Sequence, residues 1–458
     1  MQTTHIQHLF WRADLGITPE AIRSISSYPK TKIVDEIFKN SASISPLRID
    51  LSEFKEIDPK QLIKNPKAIK EFNSKSRERI KTLNFKWLER LMITDEGLRE
   101  RMTLFWANHF VCKDNNVVFV EQYNNTLRQH ALGHFGDFVK TISKEPAMIK
   151  YLNSKQNRKS TPNENFAREL MELFTLGEGN YTEQDIKESA RAFTGYNHNF
   201  KGDFVLRRFQ HDYGEKTFFG QTGNFDGDDI IDIILEQKAC AEFICQKVYR
   251  YFVNPKLNEV HIKAMVNVFY PSYSIEELMR FVFMSDWFYE PQNIGVKIKS
   301  PIEFIVGLYK IVPFKFKDED DVLKIQRLLG QTLLDPPNVA GWKGDTNWID
   351  ANTIMVRLKL PSLLLNNGSI SLKGEGDFND SFRRHYFKNN KDKLPFKTEP
   401  DWEQFHAYFE NVSIGDLPDY IINGEFNNGT ESYMEVLAKN SKQDFCIQLM
   451  SLPEYQMC

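Results

Sequence analysis

The stretch Pro162–Gly177, reading PNENFARELMELFTLG, restricts the fold more than any other part of the chain. On a helix at about 100° per residue with Glu164 at zero, Arg168 falls near ~40°, Glu172 near ~80°, Asn165 near ~100° and Glu169 near ~140°. Phe166, Ala167, Leu170, Met171, Leu173 and Phe174 fill roughly the 180–340° arc. An apolar arc that wide must be buried against other elements. Gly177 supplies the stop.

Helical periodicity continues over most of the remaining sequence. Thr18-Pro19-Glu20 reads as an N-cap followed by proline at the first helical position. Alternating charges over 58–80 read as a solvated helix face. The run from Phe85 to Phe110 reads as two helices broken near Thr94–Gly97, and another helix is expected over 121–143. Thr182 caps the helix after Tyr181. Residues 198–222 differ: glycine turns between short aromatic and β-branched runs indicate a hairpin. Residues 331–348, rich in Pro and Gly, form a loop, 366–400 an exposed linker or lobe, and 401–458 returns to helix. No internal repeat is present. For 458 residues, the length prior allows about three domains. The motifs run without a clear linker to about 365, so the expectation is mainly α. One large helical body (1–365) carries a small β-hairpin insertion, and a looser C-terminal lobe (366–458) packs on it.

Charge balance removes several function classes. Lys+Arg at 59 against Asp+Glu at 62 leaves a net charge of −3. A nucleic-acid binder usually carries a basic excess or stripe, so no nucleic-acid partner is expected. No polybasic anchor, basic leader or run of about 18 apolar residues is present, so neither a signal peptide nor a transmembrane segment is expected. The five cysteines (112, 240, 245, 446, 458) contain no C-x-x-C pair. That argues against a disulfide framework or thiolate zinc site and for a reducing compartment.

The candidate chemistry begins on the polar face of the 162–177 helix. Two readings stay open. Glu164, Arg168 and Glu172 can form i,i+4 ion pairs on a surface helix. Alternatively the face lines a cleft, where Arg168 keeps one carboxylate ionised while crowding raises the pKa of another. Paired carboxylates of that kind suit general acid–base work or a divalent cation. Trp106-Ala107-Asn108-His109 closes an earlier helix. His130 and His134 have i,i+4 metal-ligand spacing, but Gly133 interrupts the helix and no HExxH accompanies them. His211-Asp212-Tyr213-Gly214-Glu215-Lys216 is either a substrate-facing polar cluster or a turn held by an Asx hydrogen bond. Asn224–Asp229 lacks the Glu of a calcium loop, so Asp226 or Asp228 reads as a helix cap. No phosphate-cradling or serine-nucleophile motif occurs. Phe10 and Trp11 read as core.

The order of motifs resembles one large bacterial family: WANHF (106–110), RQHALGHF (128–135), PAMIKYL (146–152), the block from PNEN to TGY (162–196), HDYGEK (211–216), KIKSPIEF (297–304), LGQ (329–331), PPNVAGW (336–342) and LMSLPEYQ (449–456). Members are mainly helical and uncharacterised, and are often encoded beside a sulfatase-like or alkaline-phosphatase-like family. The resemblance singles out Glu164, Arg168, Glu169, Glu172, His109, His211 and Asp212 as catalytic candidates. Trp106, Asn108, His130, Asn163 and Lys216 become substrate-binding candidates. At His134 the family pattern has Asn, which weakens the His130/His134 metal idea. The resemblance names no reaction. One hypothesis is a hydrolase or transferase acting on a charged or sugar-like substrate, with a divalent cation compatible. The other is a non-catalytic scaffold or partner of the sulfatase-like neighbour or of a surface polysaccharide. Localisation leans cytoplasmic, with the periplasm as the alternative if a leader was removed.

Overall fold

Helix starts are set by side chains that satisfy the first turn's free amides. A computed structural model describes residues 1–55, 64–366, 370–371, 393–394, 396–424, 426, 428–437, 439 and 441–458. In it, Thr18 Oγ1 accepts from the Ala21 N–H at 3.3 Å just ahead of Pro19. Thr182 makes a reciprocal capping box with Asp185, and Asp226 makes one with Asp229. The acidic run at 224–229 is therefore a helix start.

The helices used below are α1 (Thr3–Ala13), α2 (Pro66–Ile93), α3 (Gly97–His109), α4 (Val117–His130), α5 (Phe135–Lys144), α6 (Pro146–Tyr151), α7 (Asn165–Glu169), α8 (Glu183–Ala192), α9 (Lys238–Phe252), α10 (Pro301–Ile311), α11 (Ala351–Leu365) and α12 (Lys442–Met450). The break between α2 and α3 falls at the expected 94–97. The single helix expected over 121–143 is two, α4 and α5. The chain turns at Gly133, and His134 Nδ1 then accepts from the Asp137 N–H at 3.2 Å as the cap of α5. Of the charged segment 58–80, residues 66–80 belong to α2, and 58–63 lie outside the described residues.

The one expected hairpin is two. β1 (Tyr196–His198) pairs antiparallel with β2 (Phe204–Leu206), and β3 (Lys216–Phe218) with β4 (Gln221–Gly223). Gly202 at φ 95° and Gly220 at φ 77° sit in the two turns, where the left-handed backbone favours glycine. β5 (Phe314–Phe316) pairs antiparallel with β6 (Thr398–Pro400), joining distant parts of the chain. The fold is mainly α, with small antiparallel pairs. Most of the linker expected over 366–400 lies outside the described residues. No helix among the described residues is long and apolar enough to cross a membrane.

Two large apolar cores result. One gathers residues of α1, α3–α9 and the helices up to Tyr289, including Trp106, Phe110, Phe135, Phe138 and Phe174. The other joins Leu83, Trp87, Leu88 and Leu91 of α2 to α10, α11, Phe405 and α12. The C-terminal helices therefore share a core with α10 and α11.

Buried charges tie these parts together. Glu303 on α10 is 2% exposed, pairs with Arg101 of α3 and accepts the Ser300 N–H. Lys297 Nζ lies 4.0 Å from the same carboxylate. Arg12 donates to the Cys458 carbonyl at 2.8 Å, Lys299 to that of Tyr455 at 2.6 Å, and Arg357 to that of Lys299 at 3.0 Å. Main-chain bonds pair Lys297 with Cys458 in both directions, at 3.1 and 2.8 Å. Burial alone would raise the Glu303 carboxyl, but Arg101 and Lys297 hold it well below the usual range. Burial pushes Lys297 down to about 8 and Lys299 down to about 7.

Removing the acid leaves buried cations unpaired, so Glu303→Gln should destabilise by about 3–5 kcal/mol in urea unfolding. Lys299 carries the opposite sign. Unfolded, it binds a proton up to its ordinary value of 10.5; folded, only below about 7. Between those values the unfolded state holds the extra proton, so stability rises with pH across that window. The unfolding free energy of wild type relative to Lys299→Met should therefore climb from pH 7 towards 10.5. A flat difference would show that Lys299 stays charged in the fold.

Candidate functional site

The motif segment is α-helical for only a short distance. After α7 the chain widens into a π-helix over Leu170–Thr175. The segment is thus not the continuous α-helix that its periodicity predicts. The Leu176 and Gly177 N–H groups both return to the Met171 carbonyl at 2.9 and 3.0 Å, and Thr175 Oγ1 donates to the Leu170 carbonyl at 2.5 Å. Such π-turns are rare and occur often at functional sites. Here the apolar arc is buried as the periodicity required, with Phe166, Ala167, Leu170, Met171 and Phe174 in the core.

At its start, Asn163 is a hinge pin. Its N–H donates to Asn157 Oδ1 at 2.9 Å, and its own Oδ1 accepts from the Asn165 N–H at 3.1 Å. Asn157 Nδ2 in turn donates to the Ala190 carbonyl at 2.7 Å, tying the segment to α8. Arg168 forks onto both carboxylate oxygens of Glu183 at 3.0 Å each and reaches Glu164 at 3.2 Å. These groups are exposed or partly exposed, so solvent screening keeps both pairs weak. Glu169 is half-buried. Burial raises its carboxyl, the Glu172 charge adds to that, and Arg168 opposes it. Glu172 accepts from the Tyr181 hydroxyl at 3.3 Å, and Tyr181 is pushed up to about 12 by burial and by that carboxylate.

His109 lies in a different environment. It is buried among Phe105, Trp106, Phe110 and Phe174, and its Nε2 bonds the Phe174 carbonyl inside the π-turn at 2.9 Å. Nδ1 has no partner. Burial first, and the Lys247 charge second, lower its pKa well below the usual histidine value. The ring is therefore neutral, with Nε2–H as donor. Trp106 Nε1 donates to the Ala131 carbonyl at 3.0 Å. Asn108 grips the PPNVAGW loop: the Trp342 N–H donates to its Oδ1 at 2.7 Å, and its Nδ2 donates to the Trp342 carbonyl at 3.1 Å. A Cβ at Gly341, which has φ 78°, would lie 2.2 Å from Asn108 Oδ1, so the close approach demands glycine.

His130 stacks on Phe138 with ring centres 5.3 Å apart and planes 12° apart, while His134 caps α5. The two imidazoles thus do separate jobs. No group of three or more His, Cys, Asp or Glu side chains among the described residues is arranged to hold a metal ion. The HDYGEK segment contains an Asx turn. Asp212 Oδ1 accepts from the Gly214 N–H at 2.8 Å, and Oδ2 accepts from Arg191 Nε at 2.8 Å. Burial alone would raise Asp212, but Arg191 and Gly214 hold its carboxyl below the usual range. His211 Nδ1 bonds the Thr194 carbonyl at 2.8 Å. Lys216 is buried and donates to the carbonyls of Asp212 and Gly214 at 2.7 and 3.0 Å; burial lowers its pKa.

The polar helix face therefore gathers Glu164, Arg168, Glu169 and Glu172 with Tyr181 and Glu183. His109, His130 and the His211–Lys216 turn each stand elsewhere. Tyr181 and Glu183 were not singled out from the sequence, although both belong to the same motif block. Arg128 was also missed: fully buried, it pairs with Glu100, which accepts from Trp87 Nε1 at 3.0 Å. For Glu100, Arg101 and Glu303 the available signal was a charge embedded in an apolar run, as in LRERMTLFW and SPIEFIV.

A mainly helical protein whose polar motif residues are largely bound to its own backbone is the class that this geometry defines. Residues 8–457 match the family described as proteins of unknown function, DUF1800, and the chain belongs to that family. No curated protein and no solved structure matches the chain.

Two outcomes follow from these contacts. His109 should remain neutral at pH 6.5, where an ordinary histidine is half-protonated, read by the pH dependence of its ring NMR shifts; a midpoint near 6.5 would contradict its buried setting. Asn108→Ala should unpair both Trp342 backbone groups and cost about 1–3 kcal/mol in thermal or urea unfolding.

Proposed function

We propose that this protein is a non-catalytic binding or scaffold protein whose motif residues build the frame that presents its surfaces. One observation carries this reading: both buried motif histidines, His109 and His211, direct a ring nitrogen to a main-chain carbonyl, at 2.9 and 2.8 Å. Asn108, Asn163, Asp212 and Lys216 are likewise committed to backbone groups. Such bonds fix the π-turn, the AGW loop and the hairpins; they take up the atoms that would otherwise meet a substrate. The partner classes are a sulfatase-like or alkaline-phosphatase-like protein, or a surface polysaccharide. The free thiols, four of the five buried, support a cytoplasmic location.

The second reading, a hydrolase or transferase, draws on the half-buried Glu169 beside Glu172 and Tyr181. A carboxyl raised by burial and a like charge is suited to acting as a general acid. A divalent cation would have to find its ligands among these same carboxylates.

The purified full-length protein and its Glu169→Gln and Glu172→Gln variants, screened against ester, phosphate, sulfate and glycoside substrates, separate the two. Under the scaffold reading none of the three turns over substrate, and the variants keep the wild-type melting temperature. Turnover by wild type that either variant abolishes at unchanged melting temperature would establish the enzyme instead.

A further inference from the structure

A cavity of about 300 Å³ lies apart from the polar helix face, where the start of α2, the loop before α4, the turn after α6 and the β1–β2 hairpin meet. This is the lower end of the size expected of a small-molecule site. Its walls combine three kinds of chemistry. Phe72 and Phe200 line it with aromatic rings, and Phe200 is 43% exposed, unusual for a side chain of that size. Asn73 and Asn115 line it with side-chain amides that make no hydrogen bond among the described residues, leaving donors and acceptors on offer. Lys155 is half-buried and has no acidic partner among the described residues.

Among the described residues, the cationic charge in the cavity is only partly balanced. Lys150 is neutralised by Asp114 at 2.6 Å. Lys155 then faces the repulsion of Lys150 and Arg207 as well as the cost of burial, with Asp114 as the opposing charge. An anion beside Lys155 would relieve that repulsion and gain a charge-assisted hydrogen bond. The hairpin wall is held in shape: the His198 ring packs edge-on against Phe119 at 5.0 Å, and its Nδ1 bonds the Asn199 carbonyl at 2.7 Å. The base of this wall is thus preformed by the chain's own contacts.

We propose that this cavity binds an acidic saccharide: an aromatic face takes the apolar side of a sugar ring, the Asn73 and Asn115 amides take its hydroxyls, and Lys155 takes its carboxylate or sulfate. A neutral sugar lacks the group that Lys155 requires, and a simple anion lacks the ring and hydroxyls that the phenylalanines and amides require. The proposal does not depend on whether the polar helix face is catalytic, because none of its residues lies there.

The test is calorimetric titration of the full chain with a trimer of galacturonic acid, with the neutral galactose trimer and AMP as comparisons. Saturable binding of the acidic trimer is expected, with the neutral trimer and AMP each at least about tenfold weaker. Lys155→Met and Phe200→Ala should each weaken the acidic trimer by about tenfold or more at an unchanged melting temperature. Glu169→Gln should leave it unchanged, which separates this cavity from the polar helix face. The proposal fails if the acidic trimer does not bind, if both cavity variants bind it as wild type does, or if AMP binds more tightly. Should one cavity variant misfold, Asn73→Ala replaces it under the same criteria.

Discussion

Glu303 is the acid at the centre of a buried group of cations contributed by α1, α3, the 297–299 segment and α11. A charge in an apolar interior needs a counter-charge or hydrogen bonds to offset its lost hydration. That requirement fixes several distant pieces of chain at once. Arg101 brings α3 to α10, while Arg12 and Lys299 bring α1 and the 297–299 segment to the main chain of 455–458. The two apolar cores meet around this junction, so packing in each is referred to the same point. Hydrophobic burial supplies most of the driving force, but it is non-directional. The charges supply orientation.

A similar device recurs at smaller scale in the motif block. The π-turn at 170–175 places the Phe174 carbonyl where a neutral His109 donates to it. Asn157 and Asn163 anchor the start of the segment to α8, and Arg191, Asp212 and Thr194 anchor α8 to the hairpins. Several polar motif residues are thus bound to the protein's own main chain. Left over are the half-buried Glu169 and Glu172 on one face and the cationic, aromatic and amide-lined cavity on another.

The sequence was informative wherever the signal was local. The caps at Thr18, Thr182 and Asp226, the α2–α3 break and the burial of the 166–174 apolar arc follow from chemistry within a few residues. It was less informative where a single local rule had several outcomes. The 121–143 run keeps its periodicity across Gly133, so the cap at His134 was hidden behind a histidine that invited a metal reading. The π-widening at Leu170 leaves no mark in hydrophobic spacing. Arg101 and Glu303 were legible as charges in apolar runs, but they pair with each other across 202 positions.

By itself the sequence determined that the chain is mainly helical, which faces of its helices are buried and to which family it belongs. Periodicity, capping and motif order are properties of neighbouring residues. The tertiary structure alone decided which polar residues remain free. Whether His109, His211 or Lys155 meets solvent, a carbonyl or another charge depends on elements that only folding brings within about 3 Å, the reach of a hydrogen bond.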